Sequence, residues 1–95
     1  MDLPWFLYML ECANGAIYTG ITNDVAARFQ AHCDGRGARY TRANPPRRIL
    51  AVVEYENRSS AASAEYLVKK MSLSEKRSFI EDATPGATSS LQRGR

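Results

Sequence analysis

The chain has 95 residues and a formal charge of +3 at pH 7. That length suits one domain of the usual ~100–150 residues and excludes two. Hydrophobic content of 44% and charged content of 24% lie near globular averages and exclude wholesale disorder. The longest apolar run, residues 3–10, falls well short of the ~20 residues a membrane span needs. No basic stretch precedes it as in a secretory leader, and no lipidation motif is present, so a cytoplasmic location is expected. Cys12 and Cys33 do not make a disulfide framework and are expected to be small buried hydrophobes. One histidine and no cysteine pair at ligand spacing exclude a structural zinc site.

Residues Trp5–Cys12 are aromatic and aliphatic without a breaker and predict a first strand. Asn14-Gly15 is a hairpin signal, and residues 16–22 predict its partner strand. Thr22, Asn23 and Asp24 supply N-cap candidates for a helix over Val25–Cys33, where Val25, Phe29 and Cys33 recur at i+4. Gly35 and Gly37 end that helix and open an arginine-rich loop, which Asn44-Pro45-Pro46 closes. Residues 49–55, rich in β-branched side chains, predict a third strand. Ser59 and Ser60 are cap candidates for a helix over 61–71, with Ala64, Leu67, Val68 and Met71 on its buried stripe. Ser72 and Glu75 have capping-box spacing, placing a last helix over 74–82. Residues 84–95 hold one large apolar side chain, Leu91, and read as a disordered tail. The order β-β-α-β-α-α predicts a mixed α/β (α+β) domain over 4–82, with one small sheet flanked by helices and a tail from 83.

The charge is concentrated. Residues 28–48 hold six arginines (Arg28, Arg36, Arg39, Arg42, Arg47 and Arg48) and one acid, Asp34, a balance of +5 that leaves −2 for the rest of the chain. Arginine suits phosphate because its planar fork of donors binds two oxygens at once. With Gly35, Gly37 and Tyr40 interspersed, the segment fits contact with a nucleic-acid backbone.

Several residues then fall into one pattern. Phe6-Leu7-Tyr8 is followed, ten residues on from its tyrosine, by Tyr18-Thr19-Gly20. Ile21-Thr22-Asn23-Asp24, Arg28 and His32 come next, and Glu65 lies in Ala64-Glu65-Tyr66-Leu67-Val68-Lys69-Lys70. Over about residues 4–82 the chain resembles the GIY-YIG nuclease family, most closely its small single-domain bacterial members. Phe-Leu-Tyr stands where the family has Gly-Ile-Tyr, and Tyr-Thr-Gly where it has Tyr-Ile-Gly; both tyrosines and the last glycine are kept. The resemblance implies a three-stranded antiparallel sheet flanked by helices. It also implies a magnesium-dependent endonuclease (Mg2+ or another divalent cation) that hydrolyses DNA phosphodiesters, RNA being left open. On these positions it implies a catalytic set of Tyr8, Tyr18, Arg28, His32 and Glu65, with Glu65 holding the metal.

The chemistry of the side chains fits that assignment. Hydrolysis of a phosphodiester needs an activated water and neutralisation of charge on the phosphoryl and leaving oxygens. Arg28 and His32, at i and i+4, project from one helix face, Arg28 to grip the phosphate and His32 to hydrogen-bond it or help remove a tyrosine proton. Without the resemblance, Glu65 reads as an i,i+4 ion-pair partner of Lys69. Tyr18 is the preferred base or water-orienter and Tyr8 its polar partner, since a nearby arginine and metal favour a phenolate. Gly20 permits close backbone approach at the strand end. Arg36, Arg39, Arg42, Arg47 and Arg48 are expected to hold the flanking strand by phosphate contacts. Tyr40 either stacks on an unpaired base or anchors the loop. Trp5 and Phe6 are expected in the core.

Strand parity tests the shared site. A two-residue Asn14-Gly15 turn pairs residues whose numbers sum to 29 and puts the two tyrosines on opposite faces. A three-residue loop over 13–15 with Gly15 left-handed makes the sum 28, setting Tyr18 opposite Leu10 and diagonal to Tyr8. The second register is expected. With no room for a separate sequence reader, such a chain would recognise DNA structure rather than a long sequence. The alternative is a non-catalytic nucleic-acid-binding module, favoured by the brevity of the chain and by the lack of a match for the polar amide that many family members carry late in the domain.

Overall fold

The computed structural model describes residues 3–83; the expected tail over 84–95 lies outside them. The elements are β1 (Trp5–Cys12), β2 (Ile17–Thr22), α1 (Val25–Cys33), α2 (Arg39–Ala43), β3 (Pro46–Tyr55), α3 (Arg58–Lys69) and α4 (Leu73–Ala83). The three strands form an antiparallel sheet in the order β2-β1-β3. The expected architecture and order hold, with one five-residue helix, α2, added inside the arginine-rich segment.

β1 is central, and the helices cover both of its faces. This is why Leu7, Tyr8, Met9 and Leu10 are all buried and why the first apolar run shows no alternation. Leu7 and Met9 point to one face, where with Ala51 and Val68 they form a core joined by Phe79 and Ile80 of α4. Tyr8 points to the other face, towards His32 of α1.

The hairpin takes the register that sums to 28. Leu10 lies opposite Tyr18, and Tyr8 opposite Gly20. Gly15 has φ +85°, and its N–H donates to Cys12 O at 2.8 Å, closing a three-residue loop. β1 and β3 slip register between Met9 and Leu10 and again between Glu11 and Cys12.

Local chemistry sets the helix ends. Asp24 accepts from Ala27 N–H at 3.1 Å and caps α1. Asn57, rather than Ser59 or Ser60, caps α3; its extended backbone lets Oδ1 accept from Ser60 N–H at 2.9 Å, so the helix begins at Arg58. The Ser72 hydroxyl accepts from Glu75 N–H at 3.1 Å and the Glu75 carboxylate from Ser72 N–H at 2.8 Å, completing the expected capping box.

Four burial expectations and one strand boundary need correction. Leu67 is 62% exposed, because Ala61, Ala64, Val68 and Met71 complete the buried stripe of α3 and position 67 falls beside it. Cys33, the last residue of α1, is exposed, while Cys12 on β1 is buried. Trp5 and Phe6 are only half-buried, at the start of β1, and Arg58 lies over the Trp5 ring at 5.3 Å. β3 begins at Pro46, three residues before the expected start, since proline is tolerated at the first strand position.

Candidate active site

The hairpin register sets Tyr8 and Tyr18 on the sheet face that α1 and α2 cover. Their ring centroids are 6.3 Å apart. Gly20 supplies the space: a Cβ there would lie 2.6 Å from the Tyr8 hydroxyl oxygen, so the phenol lies across a bare backbone.

Arg28 and His32 share one face of α1. His32 is 1% exposed and packs against both tyrosines, with centroids 5.8 Å from Tyr8 and 5.2 Å from Tyr18. The Tyr8 hydroxyl and His32 Nε2 are 2.8 Å apart. At the other side of the ring, His32 Nδ1 lies 2.6 Å from Thr41 Oγ1, and Thr41 donates its hydroxyl proton to Ala38 O at 2.9 Å. That donation fixes the direction of the chain. Thr41 Oγ1 can only accept from His32, so Nδ1 carries the proton, Nε2 is a bare acceptor, and Tyr8 O–H donates to it.

The electrostatics agree. Burial pushes the Tyr8 hydroxyl up to about 12, against opposition from the adjacent Arg28 guanidinium; Tyr18 and Glu65 push in the same direction as burial. Burial, and then the Arg28 charge, holds His32 below the usual histidine range. Both partners are neutral at pH 7. Arg28 thus sits close enough to bias both groups and would favour any phenolate or phosphate that forms beside it.

Glu65 approaches from the other side of the edge strand. α3 packs on the opposite sheet face, and the Glu65 charge is the smallest of the influences that raise the Tyr8 hydroxyl. Its side chain is 23% exposed, and Oε2 accepts from Lys69 Nζ at 3.1 Å, the i,i+4 pair expected from spacing. Among the described residues no group of three or more His, Cys, Asp or Glu is arranged to hold a metal. Magnesium is commonly held by one or two carboxylates, with substrate phosphates and waters completing its shell. A single carboxylate such as Glu65 fits that mode and not a dedicated cage.

The arginine-rich segment divides. Arg48 lies opposite Glu11 in register and pairs with it at 2.9 Å, Arg36 pairs with Asp34 at 3.0 Å, and Arg47 donates to Ala13 O at 2.9 Å. Arg39 and Arg42, on α2, make no ion pair among the described residues. Tyr40 is 40% exposed, accepts from Asn14 Nδ2 at 2.9 Å and lies nearly parallel to the Tyr18 ring, with centroids 6.3 Å apart and planes 11° apart.

Sequence reasoning missed Thr41 and Gly37. Thr41 is fully buried and fixes the histidine tautomer; Gly37 lies where any Cβ would collide with the His32 ring. Gly37 carried a signal, a second glycine two residues past a helix stop. Thr41 carried none, because its role arises only when α2 folds back over α1.

This arrangement of paired tyrosines over a glycine, an arginine and histidine on one helix face, and a carboxylate across the strand edge defines a class. The family model described as the GIY-YIG catalytic domain matches residues 4–78, and the chain belongs to the GIY-YIG family, a nuclease superfamily. It is 51% identical over 78 residues to a UPF0213 protein of Xanthomonas campestris pv. campestris, a match covering 82% of this chain and 76% of that one. It is 43% identical to a UPF0213 protein of Streptococcus sanguinis, covering 92% of this chain and all of the relative. The solution structure of the UPF0213 protein BH0048 from Bacillus halodurans is similar, with a TM-score of 0.54 and 32% identity over 92% of this chain and 99% of that one.

Proposed function

We propose that this chain is a metal-dependent endonuclease that hydrolyses DNA phosphodiester bonds and recognises DNA structure rather than a long sequence. The observation that carries the reading is the buried Tyr8–His32–Thr41 chain with the Arg28 guanidinium beside Tyr8. A hydrogen-bonded base assembly next to a bidentate phosphate ligand is what in-line hydrolysis needs.

In this reading Arg28 holds the non-bridging oxygens of the scissile phosphate. Tyr18, on the open side of the cluster, orients the attacking water. The proton released moves towards the Tyr8–His32 pair, whose bare Nε2 is the acceptor. Glu65 holds the divalent cation, which when bound supplies Lewis-acid stabilisation of charge on the phosphoryl and leaving oxygens. Lys69, which pairs with Glu65 at 3.1 Å, would have to release the carboxylate for Glu65 to hold the cation. Gly20 keeps the backbone out of the way of the Tyr8 hydroxyl. Arg36, Arg39, Arg42, Arg47 and Arg48 hold the flanking strand, and residues 4–82 form the cutting module, acting in the cytoplasm.

The test is a screen of the purified protein on duplex, single-stranded, flap and junction DNA with Mg2+. Cutting is expected on at least one structured or single-stranded substrate, lost on chelation and lost in Glu65→Ala and Arg28→Ala. Salt-sensitive DNA binding with no cut under any divalent metal would overturn the hydrolase reading and leave a binding module.

A further inference from the structure

The outer edge of β2 carries a second feature beside the tyrosine cluster. Ile17, Tyr18, Thr19, Tyr40, Lys69 and Lys76 line a cleft of about 280 Å³. Its floor is the edge strand. Tyr40 comes from α2, above one sheet face; Lys69 and Lys76 come from α3 and α4, on the other. Tyr18 belongs to both the cleft and the His32 cluster, so a chain passing through the cleft runs directly into the candidate active site.

We infer that this cleft is a nucleotide subsite, which holds the nucleotide next to the scissile phosphate with its base on Tyr40 and its phosphate between Lys69 and Lys76. The inference deepens the nuclease reading and rests on it. Four observations carry it. Two ammonium side chains, Lys69 and Lys76, line one small cleft that no carboxylate lines, and Lys69 pairs with Glu65 at 3.1 Å. Tyr40 is a partly exposed aromatic face held in place by its Asn14 hydrogen bond and by the nearly parallel Tyr18 ring, a preorganised stacking platform. Thr19 lines the same cleft, and its buried hydroxyl has no hydrogen-bond partner among the described residues. The volume lies just below the ~300–1,000 Å³ of ordinary ligand pockets, a scale for one nucleotide unit rather than a duplex.

The rival occupant of an edge strand is a peptide that adds to the sheet. Lysines beside an edge oppose strand addition and favour a polyanion. Backbone N–H groups on the unpaired side of β2 add donors of the kind that commonly contact phosphate.

The experiment measures binding of a fluorescein-labelled single-stranded oligonucleotide to the full chain in EDTA, so that no cut is required. Tyr40→Ala is expected to weaken binding about 5- to 150-fold, the loss of one base stack, while Tyr40→Phe retains it. Lys76→Gln is expected to lower the slope of log affinity against log salt by about 0.7, one phosphate contact on a single strand. A single abasic residue stepped along the oligonucleotide should show one position that weakens wild-type binding and has no further effect in Tyr40→Ala. Far-UV circular dichroism checks that each variant is folded. An unchanged slope in Lys76→Gln, or no abasic position coupled to Tyr40, overturns the subsite. The two readings fail separately: Tyr40- and Lys76-dependent binding without any cut leaves the subsite and removes the nuclease, whereas Arg28-dependent cutting with wild-type binding in both variants does the reverse.

Discussion

Tyr8 donates its hydroxyl proton to Nε2 of His32 across 2.8 Å, and the direction of that bond is set by a residue touching neither atom. Thr41, 2.6 Å from the far ring nitrogen, gives its own proton to Ala38 O. The imidazole is therefore the neutral Nδ1–H tautomer, and its nitrogen-15 spectrum should show that form at pH 7. Thr41→Val removes the acceptor and strands a buried N–H, a cost of about 1–3 kcal/mol in a urea melt. Thr41→Ser should restore both the tautomer and most of the stability. A spectrum unchanged in Thr41→Val would show that the threonine does not orient the ring.

The same burial makes two opposite predictions about pH. Tyr8 titrates at about 12 in the folded chain against 10 when unfolded, so it keeps its proton where the unfolded chain loses one. Its contribution is fully present below pH 10 and is lost as pH rises through 12, on the order of 2–3 kcal/mol in total. Near-ultraviolet phenolate absorbance should show a titration near pH 12 that is absent in Tyr8→Phe. His32 is depressed, so the unfolded chain binds its proton first as pH falls below 6.5. Stability should therefore decline on acidification below 6.5 until the folded histidine also titrates, and less so in His32→Gln. Cutting should fall only further into acid, where the folded His32 itself takes up a proton and no longer accepts from Tyr8.

Much of this site was legible because strand parity is strict. Only a left-handed Gly15 in a three-residue loop puts Tyr8 and Tyr18 on one face, and Gly15 has φ +85°. Helical spacing put Arg28 and His32 on one side of α1 in the same way. What escaped lacks a local period. α2 spans five residues behind an Ala38 cap that offers no side-chain hydrogen bond, too short for an apolar repeat to register. Thr41 acquires its meaning, and Lys76 its place beside β2, only through tertiary contact. Leu67 was misplaced for the opposite reason, an apolar residue close to the stripe but outside it.

The arginines differ in how much charge they have to offer. Arg39→Gln and Arg42→Gln should each lower the salt slope of DNA binding by about 0.7–0.9, one phosphate contact apiece. Arg48→Gln should lower it least, because Glu11 lies opposite in the sheet and already engages that guanidinium at 2.9 Å. Glu11 is held below its usual carboxylate range chiefly by this hydrogen bond, so the pair stays formed at neutral pH. Equal slopes in all three variants would mean that DNA competes Arg48 away from the sheet.

Gly20 and Gly37 provide the last test, since each touches one end of the Tyr8–His32 pair. A methyl at Gly20 would meet the Tyr8 hydroxyl oxygen at 2.6 Å, and one at Gly37 would strike the His32 ring. Neither glycine has a positive φ, so alanine is not barred by the backbone, and the conflict is with the side chain alone. Gly20→Ala must displace the phenol and Gly37→Ala the imidazole, each at about 1–3 kcal/mol, as for other overpacked interiors. Both should lose cutting while remaining folded. Tyr8→Phe combined with Gly20→Ala separates packing from chemistry. Removing the hydroxyl removes the atom nearest the new methyl but leaves the ring carbon Cζ at 2.7 Å, so the double variant should recover part of the stability in a urea melt and none of the cutting. Additive losses of stability would place the clash elsewhere than at the hydroxyl.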